Sequence, residues 1–237
     1  MKIPADFKYP GFYDLVCDAI YQHKLADKES NTFHENRHAR SSIISSALVI
    51  ESCANCLLKS LDISSKLAGD LDKLTVIAKF ETYLRFNNVV TFDRGNNKVE
   101  KIVELIKLRN EFVHPKVVSI KTEIGQMEDI GEQYSLPMEL TGEQWKGLII
   151  PKRGLFWSAD SSLKVLKSVA DFMYYLFFEI LELPDEDVQH VLMSRFEFSN
   201  IIMPTVFDVF ETEIISAKEF GVDFGFLVGN ASNTYEP

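Results

Sequence analysis

Apolar residues recur at spacings of three and four along several long stretches of the chain, which is the period of an amphipathic helix. The last of these stretches, around FMYYLFFEIL, is apolar on most faces, so we expect that helix to lie at the centre of the fold. The pattern predicts a mainly α protein built as a helical bundle. The predicted helices cover about 38–61, 71–86, 98–113 and 161–183.

Between the third and fourth helices the pattern changes. VVSIKTEI (117–124) alternates like a strand, and GLIIP (147–151) is a candidate partner strand. After Leu183 the chain is mixed, and RFEFSNIIMPTVFDVF (195–210) suggests a further strand. The predicted organisation is one domain over 1–237. It has a helical core at about 38–116 and 161–183, a small inserted β/loop segment at about 117–158, and a mixed C-terminal appendage at 184–237.

Composition narrows the class of protein. With 46% hydrophobic and 25% charged residues, the 237-residue chain resembles ordinary soluble domains. MKIPADFKYPGF lacks an apolar leader segment and the chain has three cysteines, so we expect a cytoplasmic protein. The most apolar run, Phe172 to Phe178, is far shorter than the roughly 20 residues of a membrane span, and we expect no membrane association. The net charge of −10 repels phosphates, so any nucleic-acid site must be locally basic.

Two charged residues fall on predicted apolar faces. At about 100° per residue, Arg109 lies in the middle of an apolar arc on the third helix, and Glu51 lies inside the arc of the first. Unpaired buried charges are costly, so we predict a structural ion pair between Glu51 and Arg109 on antiparallel helices. The alternative is that each side chain reaches the rim and stays in water. The arc of the third helix comprises Val99, Ile102, Leu105, Ile106, Phe112 and Val113.

The predicted ion pair also sets a register between the two helices. It brings the residues near Ser46 opposite His114 and places HENRHAR (34–40) toward the same end of the bundle. This segment is the densest basic cluster in the chain. We therefore predict a locally positive, substrate-binding surface; the alternative is an ordinary solvated helix start. Its predicted phosphate-binding residues are Arg37, His38, Arg40 and Lys116.

Arg109-Asn110, three further residues and then His114, followed by Pro115, resembles the signature of the HEPN superfamily. A helix with a mid-helix Glu51, SSALVIESCANCLL (45–58), lies upstream, as in that superfamily. The resemblance covers roughly 38–116 and 161–183. It implies a HEPN-like helical bundle, a homodimer and a metal-independent endoribonuclease of a toxin–antitoxin, defence or RNA-processing system. An antitoxin is the partner that a toxin would have. The resemblance also allows a non-catalytic binding module that acts with a neighbouring protein.

The resemblance implies that Arg109 and His114 are catalytic and that Asn110 supports them. Histidine suits proton transfer near neutral pH. The planar guanidinium of arginine can donate two parallel hydrogen bonds to the oxygens of the phosphorane that forms at the attacked phosphate. Asn110 would orient the His114 ring or hold a phosphate oxygen. Since one histidine does not easily act as both base and acid, two copies meeting across a two-fold axis fit the reaction. No metal or cofactor is expected. The alternative is a helix-end hydrogen-bond network without catalysis.

Two other signals carry less weight. Cys53 and Cys56 form a CxxC in mid-helix, where no helix N-terminus lowers a thiol pKa, and this favours packing over redox chemistry. His34 and His38 have the spacing of metal ligands on a helix, yet no acidic or sulfur partner stands at a recognisable offset.

Overall fold

Helices dominate the chain, as the periodicity predicts. The computed structural model describes residues 4–89, 92–117, 119, 123–124, 128–129, 134–135, 138–139, 142–198, 201–205 and 208–228. Its helices are Phe12–Lys28 (α1), Thr32–Lys59 (α2), Ser65–Leu71 (α3), Val76–Phe86 (α4), Asn97–Val113 (α5), Ala159–Tyr174 (α6), Asp185–Leu192 (α7) and Asp208–Ser216 (α8). A π-helical turn, Tyr175–Ile180, extends α6.

Side-chain caps fix where several helices begin, because they satisfy backbone N–H groups that have no partner within the helix. Asn31 accepts from the backbone of Phe33 and His34, so α2 begins at Thr32, earlier than predicted, and HENRHAR forms its first turns. The predicted single helix 71–86 is wrong. Thr75 accepts from Ala78 N and starts α4 after a break that follows α3.

Helix α2 lies at the centre and packs against α1, α4, α5, α6 and α7. Its small residues allow close approach of α1, and Ser42 Oγ donates to Ala19 O at 2.7 Å. Helix α1 lies outside the residues that the resemblance covers, yet Phe12 and Ile20 are fully buried in the same core as α2. The largest fully buried side chains are Phe12, Phe80, Phe172, Phe177, Phe224, Ile20, Ile43, Ile50, Leu57, Leu84, Ile102 and Leu105.

A small antiparallel sheet joins the two ends of the described chain. The strands Asp6–Lys8 (β1), Ser194–Phe198 (β8) and Ile201–Thr205 (β9) pair in the order β1-β8-β9, with β8 in the centre. The strand predicted within 195–210 is therefore present as a hairpin. The C-terminal segment also contacts α1 directly, since Tyr13 Oη donates to Leu227 O at 2.7 Å.

The inserted segment contains short two-residue strands in the described residues. Glu123–Ile124 (β2) pairs with Met138–Glu139 (β5), Glu128–Asp129 (β3) with Tyr134–Ser135 (β4), and Gln144–Trp145 (β6) with Ile150–Pro151 (β7). Most of VVSIKTEI lies outside the described residues. The predicted pairing of GLIIP with it is wrong, because a tight turn directs Ile150–Pro151 back onto Gln144–Trp145.

The β6–β7 hairpin is fixed to the bundle by α5. Glu104 Oε2 accepts from the backbone N–H groups of Gly147 and Leu148, both at 3.0 Å. Trp145, Leu148 and Ile150 are buried against the core. This part of the insertion is therefore an integral element of the fold, and it positions the residues that follow it, 152–157.

In the described residues, α2 alone is long and apolar enough to cross a membrane by length and composition. Its most apolar window has a mean hydropathy of 1.5, and 67% of that window is buried inside the fold. The central helix of a folded domain meets the same criterion, so this finding is weak support for a membrane span.

Candidate functional site

The predicted ion pair between α2 and α5 is present. Arg109 Nη2 donates to Glu51 Oε2 at 2.7 Å, and Arg109 Nη1 donates to Asn110 Oδ1 at 3.0 Å. The side chains of Arg109 and Glu51 keep 27% and 34% of their accessible surface. The pair is therefore half-buried at the rim of the bundle, and it combines the two alternatives that the sequence left open.

The last turn of α5 departs from the predicted arc. Phe112 and Val113 are 39% and 43% exposed, whereas Leu108, which the arc omitted, is buried. Phe112 instead stacks on Trp157, with ring centroids 5.7 Å apart and an angle of 23° between the planes. The end of α5 thus faces a groove and the C-terminal part of the inserted segment.

His114 is the residue after the last helical position of α5. Its backbone N–H donates to Asn110 O at 3.1 Å, and Pro115 prevents the helix from continuing. The His114 side chain is exposed and has no hydrogen-bond partner among the described residues. Asn110 offers its side-chain oxygen to Arg109. The predicted contact in which Asn110 orients the His114 ring is not seen in this part of the chain.

Two adjoining pockets form one groove at this end of the bundle. We call them lobe A, at the first turns of α2, and lobe B, at the end of α5; their volumes are about 770 and 860 Å³. Arg40 and Phe112 line both, so the lobes meet at these two side chains. Lobe A is lined by Gln22, His34, Arg37, His38, Arg40, Ser41, Ile44, Ser45 and Phe112. Lobe B is lined by Arg40, Leu108, Asn110, Glu111, Phe112, His114, Pro115, Lys116, Lys152, Arg153, Gly154, Leu155 and Trp157.

The groove brings together nearly all the predicted site residues. His114, Asn110 and Lys116 lie in lobe B, and the predicted phosphate-binding residues of α2 lie in lobe A, with Arg40 shared. Arg109 is the exception. It does not line either lobe, because its guanidinium is directed to Glu51 and Asn110.

Sequence reasoning missed one wall of lobe B, which is formed by residues 152–157. The start of α2 holds this wall in place. Asn36 Nδ2 donates to the carbonyl oxygens of Gly154 and Trp157, both at 2.8 Å, and Glu35 Oε1 accepts from Ala159 N at 2.9 Å. The adjacent Lys152-Arg153, which is separated by two residues from the aromatic pair Phe156-Trp157, was the signal that could have revealed it.

The groove is positively charged although the chain is acidic overall. Its described lining holds five lysine or arginine side chains, three histidines and a single carboxylate, Glu111. The Glu111 carboxylate lies 3.7 Å from the Arg153 guanidinium. Lys152 bonds to Glu143 at 2.6 Å and holds the pKa of that carboxyl below its usual range. This is the local positive charge that an acidic protein needs in order to bind a polyanion.

The arginine and histidine side chains of lobe A differ in how many contacts they make with other protein groups. The His38 ring bonds to Gln22 through Nδ1 at 2.8 Å, and its Nε2 lies 4.0 Å from Glu29. The guanidinium of Arg37 lies over the Phe33 ring, 5.8 Å from its centroid. Arg40 Nε is shielded from solvent and has no hydrogen-bond acceptor in the described residues. Among the described cations of the groove, Arg40 is therefore one whose solvent-shielded donor has no acceptor.

Neither a metal centre nor a redox pair accompanies the groove in the described residues. No group of three or more histidine, cysteine, aspartate or glutamate side chains is placed to hold a metal ion there. Cys53 and Cys56 are buried in α2, and burial raises the pKa of both thiols, for Cys56 to about 11. Protonated, buried thiols of this kind serve packing.

No protein-family model, curated protein or solved structure matches the chain. The chemistry of the groove is therefore argued from its own residues.

Proposed function

We propose that the chain is a metal-independent endoribonuclease that cleaves RNA in the groove between α2 and α5. The observation that carries the proposal is the exposed His114 side chain, free of protein hydrogen bonds within the described residues, in a groove rich in lysine and arginine. The resemblance of Arg109-Asn110-x3-His114 to the HEPN signature supports the same activity. A toxin–antitoxin or defence role in the cytoplasm is part of this proposal.

The reaction needs only groups that move protons and groups that hold phosphate. The base removes the proton of a ribose 2′-OH, and the oxygen attacks the adjacent phosphorus. The bond from phosphorus to the 5′-oxygen breaks, and that oxygen takes a proton from the acid. The products are a 2′,3′-cyclic phosphate and a 5′-hydroxyl. His114 suits one of the two proton transfers because histidine titrates near neutral pH.

The structure changes the role that we propose for Arg109. Its guanidinium bonds to Glu51 and Asn110, so it acts as a positioning residue for Asn110. The positive charge on the phosphorane then comes from side chains that line lobe B together with His114, above all Arg40 and Lys116. Asn110 lines the same lobe and contributes an amide to the phosphate oxygens.

A second proton-transfer group comes from a second copy of the chain in this proposal. Two copies of His114 facing each other across a two-fold axis would supply base and acid. A homodimer is therefore part of the proposal, and its disruption should abolish cleavage while leaving each protomer folded.

The second candidate is a binding module without catalysis, acting with RNA or with a neighbouring protein. Arg109 favours it, because this residue of the signature is engaged with Glu51 and Asn110 and does not line the groove. In this case Arg109 and Asn110 form a helix-end network that supports the fold.

The test is RNA cleavage by the purified full chain in the presence of EDTA, with analysis of the product ends. We expect cyclic phosphate ends from the wild type, loss of cleavage in His114→Ala and a strong reduction in Asn110→Ala. His190→Ala is the matched control, since His190 is an exposed histidine of α7 that lines neither lobe. Cleavage that persists in His114→Ala would exclude this site. An inert wild type that still binds RNA would favour the second candidate.

A further inference from the structure

The lobes of the groove meet at an exposed aromatic ring that has no role in proton transfer. Phe112 lines both lobes and is 39% exposed. Trp157 stacks on it and is itself held by its indole N–H, which donates to Pro151 O at 2.8 Å. Trp157 is 3% exposed, so the ring of Phe112 rests on a fixed support. A rigid, partly exposed ring between cations is a surface on which a nucleic-acid base stacks.

Arg40 lies at the same junction. Its side chain lines both lobes, and its Nε, which is shielded from solvent, has no acceptor among the described residues, so no described protein group engages the guanidinium through that atom. A guanidinium donates two parallel hydrogen bonds to the oxygens of a phosphate. The junction therefore offers a stacking surface for a base and a donor for the phosphate next to it.

We infer that Phe112 and Arg40 form a nucleotide subsite in which a base stacks on Phe112 and its flanking phosphate binds Arg40. The strand then continues into lobe A toward Arg37. This inference rests on the proposed function in that it places RNA in the same groove. It adds that the bound RNA is single-stranded, because a paired base is stacked within its duplex and cannot reach a side-chain ring. Each lobe has a volume in the range of roughly 300–1,000 Å³ that holds small ligands, so a strand crossing both occupies more than one nucleotide site.

Binding can be measured separately from cleavage with a fluorescent single-stranded 2′-O-methyl RNA hexamer, because the methyl group blocks the attacking oxygen. Fluorescence anisotropy would be recorded for the wild type, Phe112→Leu and Phe112→Tyr. Phe112→Leu should weaken binding by roughly five- to 150-fold, since that is the contribution of stacking one base. Phe112→Tyr keeps a flat ring and should bind like the wild type. Phe86→Leu is the control, since Phe86 is an exposed phenylalanine of α4 that lines neither lobe.

A double-mutant cycle shows whether the Phe112 effect is stacking. The hexamer is replaced by versions that carry a single abasic position, moved along the strand. At the position that contacts Phe112, the losses in binding free energy caused by removing the base and by Phe112→Leu should not be additive. If Phe112→Leu weakened binding equally for the intact hexamer and for every abasic version, the inference would be overturned, because Phe112 would then act only through the fold.

The role of Arg40 is tested through salt. In Arg40→Gln the slope of log K against log salt concentration should become shallower by about 0.7, the value for one phosphate contact on a single strand. Arg85→Gln, an exposed arginine of α4, should leave the slope unchanged. A duplex of the same sequence should bind the wild type more weakly than the single strand. An unchanged slope in Arg40→Gln, or equal affinity for duplex and single strand, would overturn the inference.

The outcomes separate this inference from the proposed activity. Binding that depends on Phe112 and Arg40, in a protein that cleaves no RNA, upholds the subsite and refutes the nuclease. Cleavage that depends on His114 but binding that ignores Phe112 upholds the nuclease and refutes the subsite.

Discussion

The ion pair between Glu51 and Arg109 gives the most direct test of how the two central helices are held together. The perturbations are Glu51→Gln and Arg109→Met, alone and combined. Both substitutions remove a charge but keep most of the side-chain volume. In the folded chain the two groups form a hydrogen bond of 2.7 Å at side-chain exposures of 34% and 27%.

The expected magnitude lies between two limits. A charge-assisted hydrogen bond contributes about 1.5–3 kcal/mol, whereas a fully exposed ion pair contributes about 0–1 kcal/mol. Because about a third of each side chain remains in water, screening removes part of the interaction. We expect a coupling free energy of about 1–2 kcal/mol. Arg109→Met should cost more than the coupling alone, since it also removes the donor to Asn110.

The assay is urea unfolding followed by circular dichroism, repeated at low and high salt. Salt should reduce the coupling, because the pair is partly exposed. The matched control is Lys73–Asp70, whose side chains are 78% and 62% exposed and whose coupling should be near zero. A Glu51–Arg109 coupling as small as that of the control would refute the reasoning. The pair would then be an incidental surface contact and would not set the register of α2 and α5.

Three further predictions concern buried or half-buried groups. Burial lowers the pKa of His23 below its ordinary value of 6.5. The unfolded chain therefore binds more protons, and the free energy of unfolding should fall as pH decreases below about 6.5. His23→Gln should flatten this pH dependence and the exposed His190→Gln should not; equal curves for both variants would contradict the prediction. Glu104→Ala leaves the amides of Gly147–Leu148 without their acceptor, so amide hydrogen exchange should accelerate there and the free energy of unfolding should fall by about 1–3 kcal/mol; unchanged exchange would show that apolar burial alone holds the hairpin. Burial raises the pKa of the Cys53 thiol, so a disulfide reagent at pH 8 should react with it only after denaturation, and rapid labelling of the native protein would argue against a buried helix position.

Local periodicity predicted α2, α5 and α6 and most of α4, because burial on one face leaves a repeating signal in the sequence. The unpaired charges on the apolar arcs likewise predicted the Glu51–Arg109 contact, since two misplaced opposite charges stabilise each other. The first inference uses only the spacing of residues within each helix, and the second adds one rule about buried charges. They required no knowledge of the rest of the chain.

The features that the sequence did not reveal depend on contacts between distant segments. Phe112 was assigned to the buried arc, yet its partner is Trp157, which only the docked insertion brings near. That docking depends on Asn36 and Glu104, whose acceptors and donors lie more than 40 residues away along the chain. The participation of α1 in the core was missed for the same reason, because its partners Ser42 and Leu227 lie in other segments of the chain.

The contacts of Arg109 connect the stability of the bundle with the choice between the two candidate functions. The Arg109 guanidinium offsets the charge of Glu51 and also holds Asn110, which lines lobe B. In a nuclease this would make Arg109 important for catalysis without contact to the phosphate, so Arg109→Lys, which keeps the charge, should retain part of the rate. In a binding module the same substitution should change stability alone. Since Arg40 and Lys116 already supply positive charge within lobe B, the groove does not need Arg109 in order to bind phosphate. Arg109 therefore stabilises the contact between the helices, whereas Arg40 is placed to bind the substrate. Variants of Arg109 and of Arg40 measure these two roles separately.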